Sequence, residues 1–372
     1  MSTSAVTRSS RLRVPGALRG NLIPLAILIL LLVGLTVLAP SFLRVQNLLN
    51  VARQASIVGV ISIGMTFVIL SGGIDLSVGS TLAVAGVVSA SMIVAGMPTP
   101  LILLVGIAIG AATGLANGIG VAILRIQPFI MTLAAMVLFR GVALRWTGGG
   151  PIQFRTGDSL FDFLGSGGIA AIPGPVMVFA LVSIAGVIVL RYLTFGRYIY
   201  AIGGSQEAAR LSGVPTSRTA IGAYVISGAC AGLAGVMTTA RLSSGDPLGG
   251  NLAELDAITA VVVGGTSLMG GSGGAVGTIA GALLLAVLSN AMNLIGIGPF
   301  DQMMVKGLVI IGAVLFAARA TRRRLVERGV PPGGLRGVTA PASADSSGGS
   351  PSTKTGERES SHTSQAQEEI RR

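Results

Sequence analysis

The chain has 372 residues, of which 51% are apolar (Ala, Val, Ile, Leu, Met, Phe, Trp, Tyr or Cys) and only 11% charged, against a net charge of +12. A soluble domain carries about 25% charged residues, so a soluble globular fold is excluded; the apolar content would fill about nine membrane spans of ~20 residues. One cysteine, Cys230, excludes an internal disulfide or cysteine cluster, and one histidine, His362, leaves none for catalysis in the apolar region.

In chain order, residues 1–20 carry four arginines (Arg8, Arg11, Arg13, Arg19) and no acid. They read as a basic cytoplasmic tail. Leu22–Ala39 follows as a retained span, since Pro40 makes a poor cleavage site. Further apolar runs lie at Ala55–Leu70, Val78–Ala95, Leu101–Leu124, Phe129–Trp146, Pro175–Leu190, Ala220–Ala240, Leu255–Met269, Ala275–Ile295 and Met303–Ala318. These make ten segments, several of them short or interrupted by glycine, as broken or re-entrant helices are. The transmembrane domain is expected over 21–320. Residues 321–372 are Gly-, Ser- and Glu-rich and read as a disordered cytoplasmic tail.

Charge orders the topology. Residues 319–372 hold ten basic and six acidic groups, while 21–318 hold twelve and eight. Ten spans beginning inside also end inside, which, counting only as far as Arg324, puts thirteen basic residues in the cytoplasm against six outside. The expectation is a multi-pass protein of the bacterial cell membrane with both termini cytoplasmic. No aromatic-interleaved basic surface accompanies the tails, so nucleic acid is not an expected partner.

The strongest local feature is Gly72-Gly73-Ile74-Asp75-Leu76-Ser77-Val78-Gly79. Two glycines allow a helix to stop, and Asp75 or Ser77 is suited to cap the next one. The alternative is that this break exposes polar groups to a solute pathway. A weaker echo, Gly264-Gly265-Thr266-Ser267-Leu268, matches its spacing with Gly264 opposite Gly72. Asn117, Asn290 and Asn293 interrupt apolar runs, where they would bond between helices or touch a polar solute.

Between two inner span ends, Ser205-Gln206-Glu207-Ala208-Ala209-Arg210-Leu211-Ser212-Gly213 spells a short helix. Ser205 is its N-cap, Glu207 and Arg210 suit the dipole, and Gly213 is its stop. It is either a connector or a place to receive force from another subunit. On the outer side, Asn251-Leu252-Ala253-Glu254 has N-cap spacing, so Glu254 and Asp256 either start a helix or dock an external partner. Arg140 and Lys306 are expected to have structural partners. No phosphate-binding loop, Ser/His/Asp set or metal-ligand cluster is spelled out.

Six motifs in order carry a resemblance. They are Gly72–Gly79 with Asn117-Gly118, Pro128-Phe129-Ile130-Met131-Thr132-Leu133, Phe195-Gly196-Arg197, Glu207–Gly213, Glu254-Leu255-Asp256-Ala257-Ile258 and Gly264–Leu268. Over about Asn47–Ala317 the chain resembles the membrane permeases of bacterial ABC importers for monosaccharides, of the ribose, xylose and galactose type. Two positions depart from that pattern: Ser205 stands where Asn is common, and Ala134 where Gly is frequent.

The resemblance implies an all-α type II importer permease with about ten transmembrane segments. It implies a second permease subunit as in a homodimer, a cytoplasmic ABC ATPase, an extracytoplasmic sugar-binding protein and a monosaccharide substrate. The chain itself would be no enzyme and need no cofactor, because ATP is bound by the partner ATPase. Candidate pathway residues are Asp75, Ser77, Asn117, Thr132, Asn290 and Asn293. Gly203, Glu207, Ala208, Ala209, Arg210 and Gly213 are candidates for ATPase coupling, and Glu254 and Asp256 for docking the binding protein. The alternatives are a permease of the same type for a nucleoside or branched-chain amino acid, and an ion-coupled secondary carrier.

Overall fold

The computed structural model describes residues 40–312, apart from 171 and 299. A 3-10 turn at Pro40–Leu43 leads into α1 (Val45–Leu70), α2 (Val78–Val94), α3 (Thr99–Ala122) and α4 (Pro128–Thr147). A cap follows, with α5 (Ser159–Gly165) set among the two-residue strands β1 (Ile152–Gln153), β2 (Gly168–Ile169) and β3 (Ile172–Pro173). Then come α6 (Gly174–Tyr192), α7 (Thr194–Gly204), α8 (Gln206–Leu211), α9 (Thr216–Leu242), β4 (Ser244–Gly245), α10 (Ala253–Val263) and α11 (Ala275–Leu294). Residues 300–312 form a further helix, α12. β1 pairs antiparallel with β4, Ile152 opposite Gly245, and β2 pairs with β3.

Among the described residues, six helices are long and apolar enough to cross a membrane: α1, α3, α4, α6, α9 and α11. Ten segments were expected. The first, Leu22–Ala39, and both tails lie outside the described residues, and the tenth runs past residue 312. α2 and α10, with 17 and 11 residues, fall short because each abuts a glycine break.

Local chemistry explains the helix ends. Proline occupies the first turn of α3, α4 and α6, where its missing N–H costs nothing. The carboxylate of Asp158 caps α5 by accepting from Leu160 N at 2.9 Å and Phe161 N at 3.0 Å. Those backbone bonds, the one from Phe161 first, hold its carboxyl below the usual range.

Packing centres on α1 and α9. Val60, Ile63 and Phe67 of α1 meet Tyr224 and Met237 of α9 and Val261 of α10. α9 also lies directly on α3, whose Gly106, Gly110, Gly114 and Gly118 recur every fourth residue. A Cβ at Gly110 would meet the backbone of Gly228, and one at Gly232 the backbone of Gly106. Small residues at this spacing allow helix backbones to touch, and dispersion then replaces the absent hydrophobic drive in lipid. The outer helices differ: α1 is 78% buried over its most apolar window, α4 only 17%. Phe129, Leu133, Val137 and Leu138 of α4 are exposed, as a lipid- or subunit-facing side requires.

Candidate functional site

The two glycine breaks have the same backbone. At the end of α1, Gly72 N donates to Ile69 O and Gly73 N to Val68 O, both at 2.9 Å, with Gly72 at φ 84°. At the end of α10, Gly265 N donates to Val262 O at 2.9 Å and Thr266 N to Val261 O at 3.1 Å, with Gly265 at φ 87°. Each is a left-handed helix stop for which glycine is the low-cost residue. The structural counterpart of Gly72 is therefore Gly265, one position later than the sequence alignment of the echo.

The first break is filled by a buried polar cluster. Asp75, 1% exposed, accepts from Ser77 N at 3.0 Å and Ser77 Oγ at 2.7 Å on one oxygen. Its other oxygen accepts from Ser227 Oγ of α9 at 3.0 Å. Ser77 Oγ in turn accepts from Asn117 Nδ2 of α3 at 2.7 Å, while Asn117 Oδ1 is buried without a partner. The carbonyl of Ile74 lies 3.2 Å from the Thr132 hydroxyl of α4 and 3.3 Å from that of Tyr224 of α9. Ser77 occupies the N-cap of α2, yet its hydroxyl turns to Asp75 and makes no cap bond. Asp75, Ser77, Asn117 and Thr132 are thus brought together, bonded and closed to solvent.

Asn290 and Asn293 stand apart from that cluster. Asn290 pairs reciprocally with Asn47 of α1, at 2.9 and 2.8 Å. Asn293 is exposed and accepts from Gln302 Nε2 at 2.8 Å.

The second break folds onto the first. Gly271 N donates to Leu70 O at 3.0 Å, and Gly203, next to the end of α7, packs against both groups. Beyond Gly203, Ser205 caps α8 by accepting from Ala208 N at 3.3 Å. Gly213, at φ 79°, ends that helix through Gly213 N to Arg210 O and Val214 N to Ala209 O, both at 3.0 Å. Ala209 faces inward, whereas Glu207, Ala208 and Arg210 are exposed. Arg210 Nη2 reaches Glu207 Oε1 at 2.7 Å, which holds the Glu207 carboxyl below and the Arg210 guanidinium above their usual ranges. An open polar cleft of about 830 Å³ runs from α8 up to Ser71 and Tyr224.

The acids expected to dock a partner are placed differently from a free surface. α10 starts from Leu252, in the left-handed region and without a side-chain cap, so Asn251 is not the cap that its spacing suggested. Glu254 is 7% exposed and its carboxylate sits against Gly79. Asp256 is paired with Lys306 Nζ at 2.9 Å. Nearby, Arg140 Nη1 donates to Pro247 O at 2.7 Å and Gly249 O at 2.9 Å, holding the strap between α9 and α10 against α4.

Sequence reasoning missed Ser227 and Tyr224, the α9 partners of the first break. Their signal is there: two polar residues three apart share one face of the otherwise apolar stretch 220–237 of that helix.

Comparison with known proteins places this arrangement. The family described as "Branched-chain amino acid transport system / permease component" matches residues 47–316. The ribose import permease protein RbsC of Haemophilus influenzae is 44% identical over 290 residues, 77% of this chain and 90% of the relative. The protein of the same name from Bacillus subtilis is 43% identical over 309 residues, 83% of this chain and 96% of the relative. The xylose transport system permease protein XylH of Escherichia coli is 34% identical over 76% of this chain and 87% of the relative. No solved structure matches.

Proposed function

We propose that this chain, which belongs to the branched-chain amino acid transport system / permease component family, is the membrane permease of an ABC importer for a monosaccharide, a pentose above all. The family description by itself would equally suit an amino acid. The ribose and xylose permease names of relatives at 44% and 34% identity favour the sugar. So does the site's chemistry: the polar groups at the break are hydroxyls and amides around one carboxylate, and an amphoteric amino acid would call for fixed charges of both signs.

The observation that carries the mechanism is the contact of α7 with both breaks at Gly203. α8 is a short, capped, exposed helix directly joined to that contact. A cytoplasmic ATPase gripping α8 would therefore move the junction on which both broken helices rest. In this reading the chain crosses the membrane ten times, with α2 and α10 as broken spans, the type II importer arrangement, and both termini cytoplasmic. A second permease subunit completes the path, the ATPase supplies ATP hydrolysis, and an extracytoplasmic binding protein delivers the sugar. Asp75, Ser77, Asn117 and Thr132 brace the inner end of the path.

The test is reconstitution of the permease with its ATPase and binding protein in liposomes, followed by a screen of sugars and amino acids. Pentose-stimulated ATPase activity matched by pentose uptake is expected. Stimulation by leucine or valine alone would refute the substrate, and uptake without the ATPase would refute the mechanism. In the same preparation, Glu207→Lys and Gly213→Val should leave membrane insertion intact while lowering uptake per ATP or ATPase binding.

A further inference from the structure

The face built by the start of α1, the cap around α5 and the strap after α9 carries five arginines: Arg44, Arg53, Arg145, Arg155 and Arg241. Among the described residues none of them forms an ion pair; the two pairs present are Glu207–Arg210 and Asp256–Lys306. Two of the acids on this face are already engaged, Asp158 in capping α5 and Asp246 in accepting from Leu248 N at 2.8 Å.

Three of the arginines lie on segments that pack together. Arg53 Nη2 donates to Ser166 O at 3.2 Å, while its Nε is buried without a partner. Gly165, one residue before Ser166, packs on the peptide between Ala240 and Arg241. Phe154 N donates to Ser243 O at 3.3 Å, which brings the backbone before Arg155 to within two residues of Arg241. Through Ser166 and Gly165 the Arg53 guanidinium and the backbone of Arg241 thus meet the same turn. Like charges within a Debye length of ~10 Å raise the energy of the free protein. Arginine on an outer face also runs against the positive-inside bias.

We propose that Arg53, Arg155 and Arg241 form a cationic docking patch for acidic side chains of the extracytoplasmic binding protein. The proposal rests on the orientation given above, with the cap outside. It replaces Glu254 and Asp256, of which one is buried and the other paired, with groups of the opposite sign. A protein partner fits better than lipid head groups because the cap also exposes Leu160, Ile169 and Ile172, at 41%, 60% and 50%. Arginine interleaved with apolar side chains is the composition of protein–protein interfaces. An acidic partner offsets these like charges on arrival, which speeds association and orients the encounter.

The experiment measures binding-protein affinity for the permease–ATPase complex in nanodiscs, at low and high salt. The double variant Arg53→Glu with Arg241→Glu should weaken binding about tenfold or more at low salt, mainly through slower association. Arg241→Lys should bind nearly as the parent does. Assembly with the ATPase and the thermal midpoint establish that each variant is folded. A folded double variant that binds like the parent overturns the proposal. So does a loss of binding seen only in nanodiscs of anionic lipid, which would assign the arginines to lipid. Orientation is read separately by Ser166→Cys in a Cys230→Ala background, labelled with an impermeant reagent on intact cells. Labelling from outside with unchanged binding refutes the patch alone; labelling only from the cytoplasmic side refutes the orientation and the patch together.

Discussion

The breaks after α1 and after α10 stop their helices with the same two backbone bonds and the same left-handed glycine, yet their interiors are unlike. The first encloses a carboxylate, and through it α2 and α9 are bonded, with α3 joined through Ser77. The second contains no charge. Thr266 Oγ1 accepts from Gly274 N at 3.2 Å, and the Thr278 hydroxyl lies 2.8 Å from that of Thr66. A helix stop therefore needs glycine and not Asp75. The carboxylate does something the second break does without: it gathers neighbouring helices around the break. The first break is a fixed node, and the second, whose loop holds Gly270, Gly271 and Gly273 at positive φ, rests against it.

That contrast is broken most directly at Asp75. In Asp75→Ala, Ser77 N, Ser77 Oγ and Ser227 Oγ lose their shared acceptor inside the protein. Each buried group left unbonded costs about 1–3 kcal/mol, so a loss of about 3 kcal/mol or more is expected, seen as a lower thermal midpoint and poor assembly with the ATPase. Asp75→Asn keeps one acceptor oxygen and should recover much of the stability. An Asp75→Ala protein that is as stable as the parent but does not transport would move Asp75 from brace to solute path.

A second prediction tests the rest point between the breaks. A Cβ at Gly203 would meet Leu70 O and Gly271 N, both backbone atoms that cannot step aside. Gly203→Ala should cost about 1–3 kcal/mol, as overpacking does, and should lower uptake. At Gly204 nothing lies within 4 Å, so Gly204→Ala should stay within about 0.5 kcal/mol. Equal effects at the two neighbours, in thermal midpoint and in uptake, would mean that α7 does not bear on the breaks.

Much of this geometry was written locally. Gly72-Gly73 and Gly264-Gly265 announce stops, and Ser205 to Gly213 spells out a capped helix, because caps and stops depend on residues within one turn. The bonds across helices were less legible. Asn117 and Asn290 look alike in sequence, but one meets Ser77 and the other pairs with Asn47, a choice made by helix register. Glu254 followed an Asn at cap spacing, yet the strap held by Arg140 delays the helix start to Ala253 and turns the carboxylate inward. Such outcomes depend on partners 40 to 243 residues away.

The left-handed stop itself gives a smaller effect. A Cβ at Gly72 comes no closer than 3.9 Å to Met269 O, so Gly72→Ala meets no obstacle beyond its backbone angle. The left-handed conformation costs an L-residue about 1–2 kcal/mol. Gly72→Asn should cost less, since Asn tolerates that region. Thermal midpoints of the two variants in detergent measure the difference, and an alanine no worse than asparagine would mean that the loop has refolded around the substitution.

The smallest effect is expected inside the second break. Thr266→Val keeps shape and buried volume and removes one hydroxyl, the acceptor for Gly274 N. A single neutral hydrogen bond is worth about 0.5–1.5 kcal/mol, and Gly274 is only partly buried, so water can replace part of it. The matching change in the first break is Ser77→Ala, which removes a donor to Asp75 and the acceptor of Asn117 together. Both of those partners are fully enclosed, and no solvent compensates. Ser77→Ala should therefore cost at least twice the stability of Thr266→Val, about 2 kcal/mol or more against about 1, read from the two thermal midpoints. Comparable losses would show that the charged cluster stiffens the first break no more than threonine stiffens the second, and the distinction between fixed node and resting loop would fall.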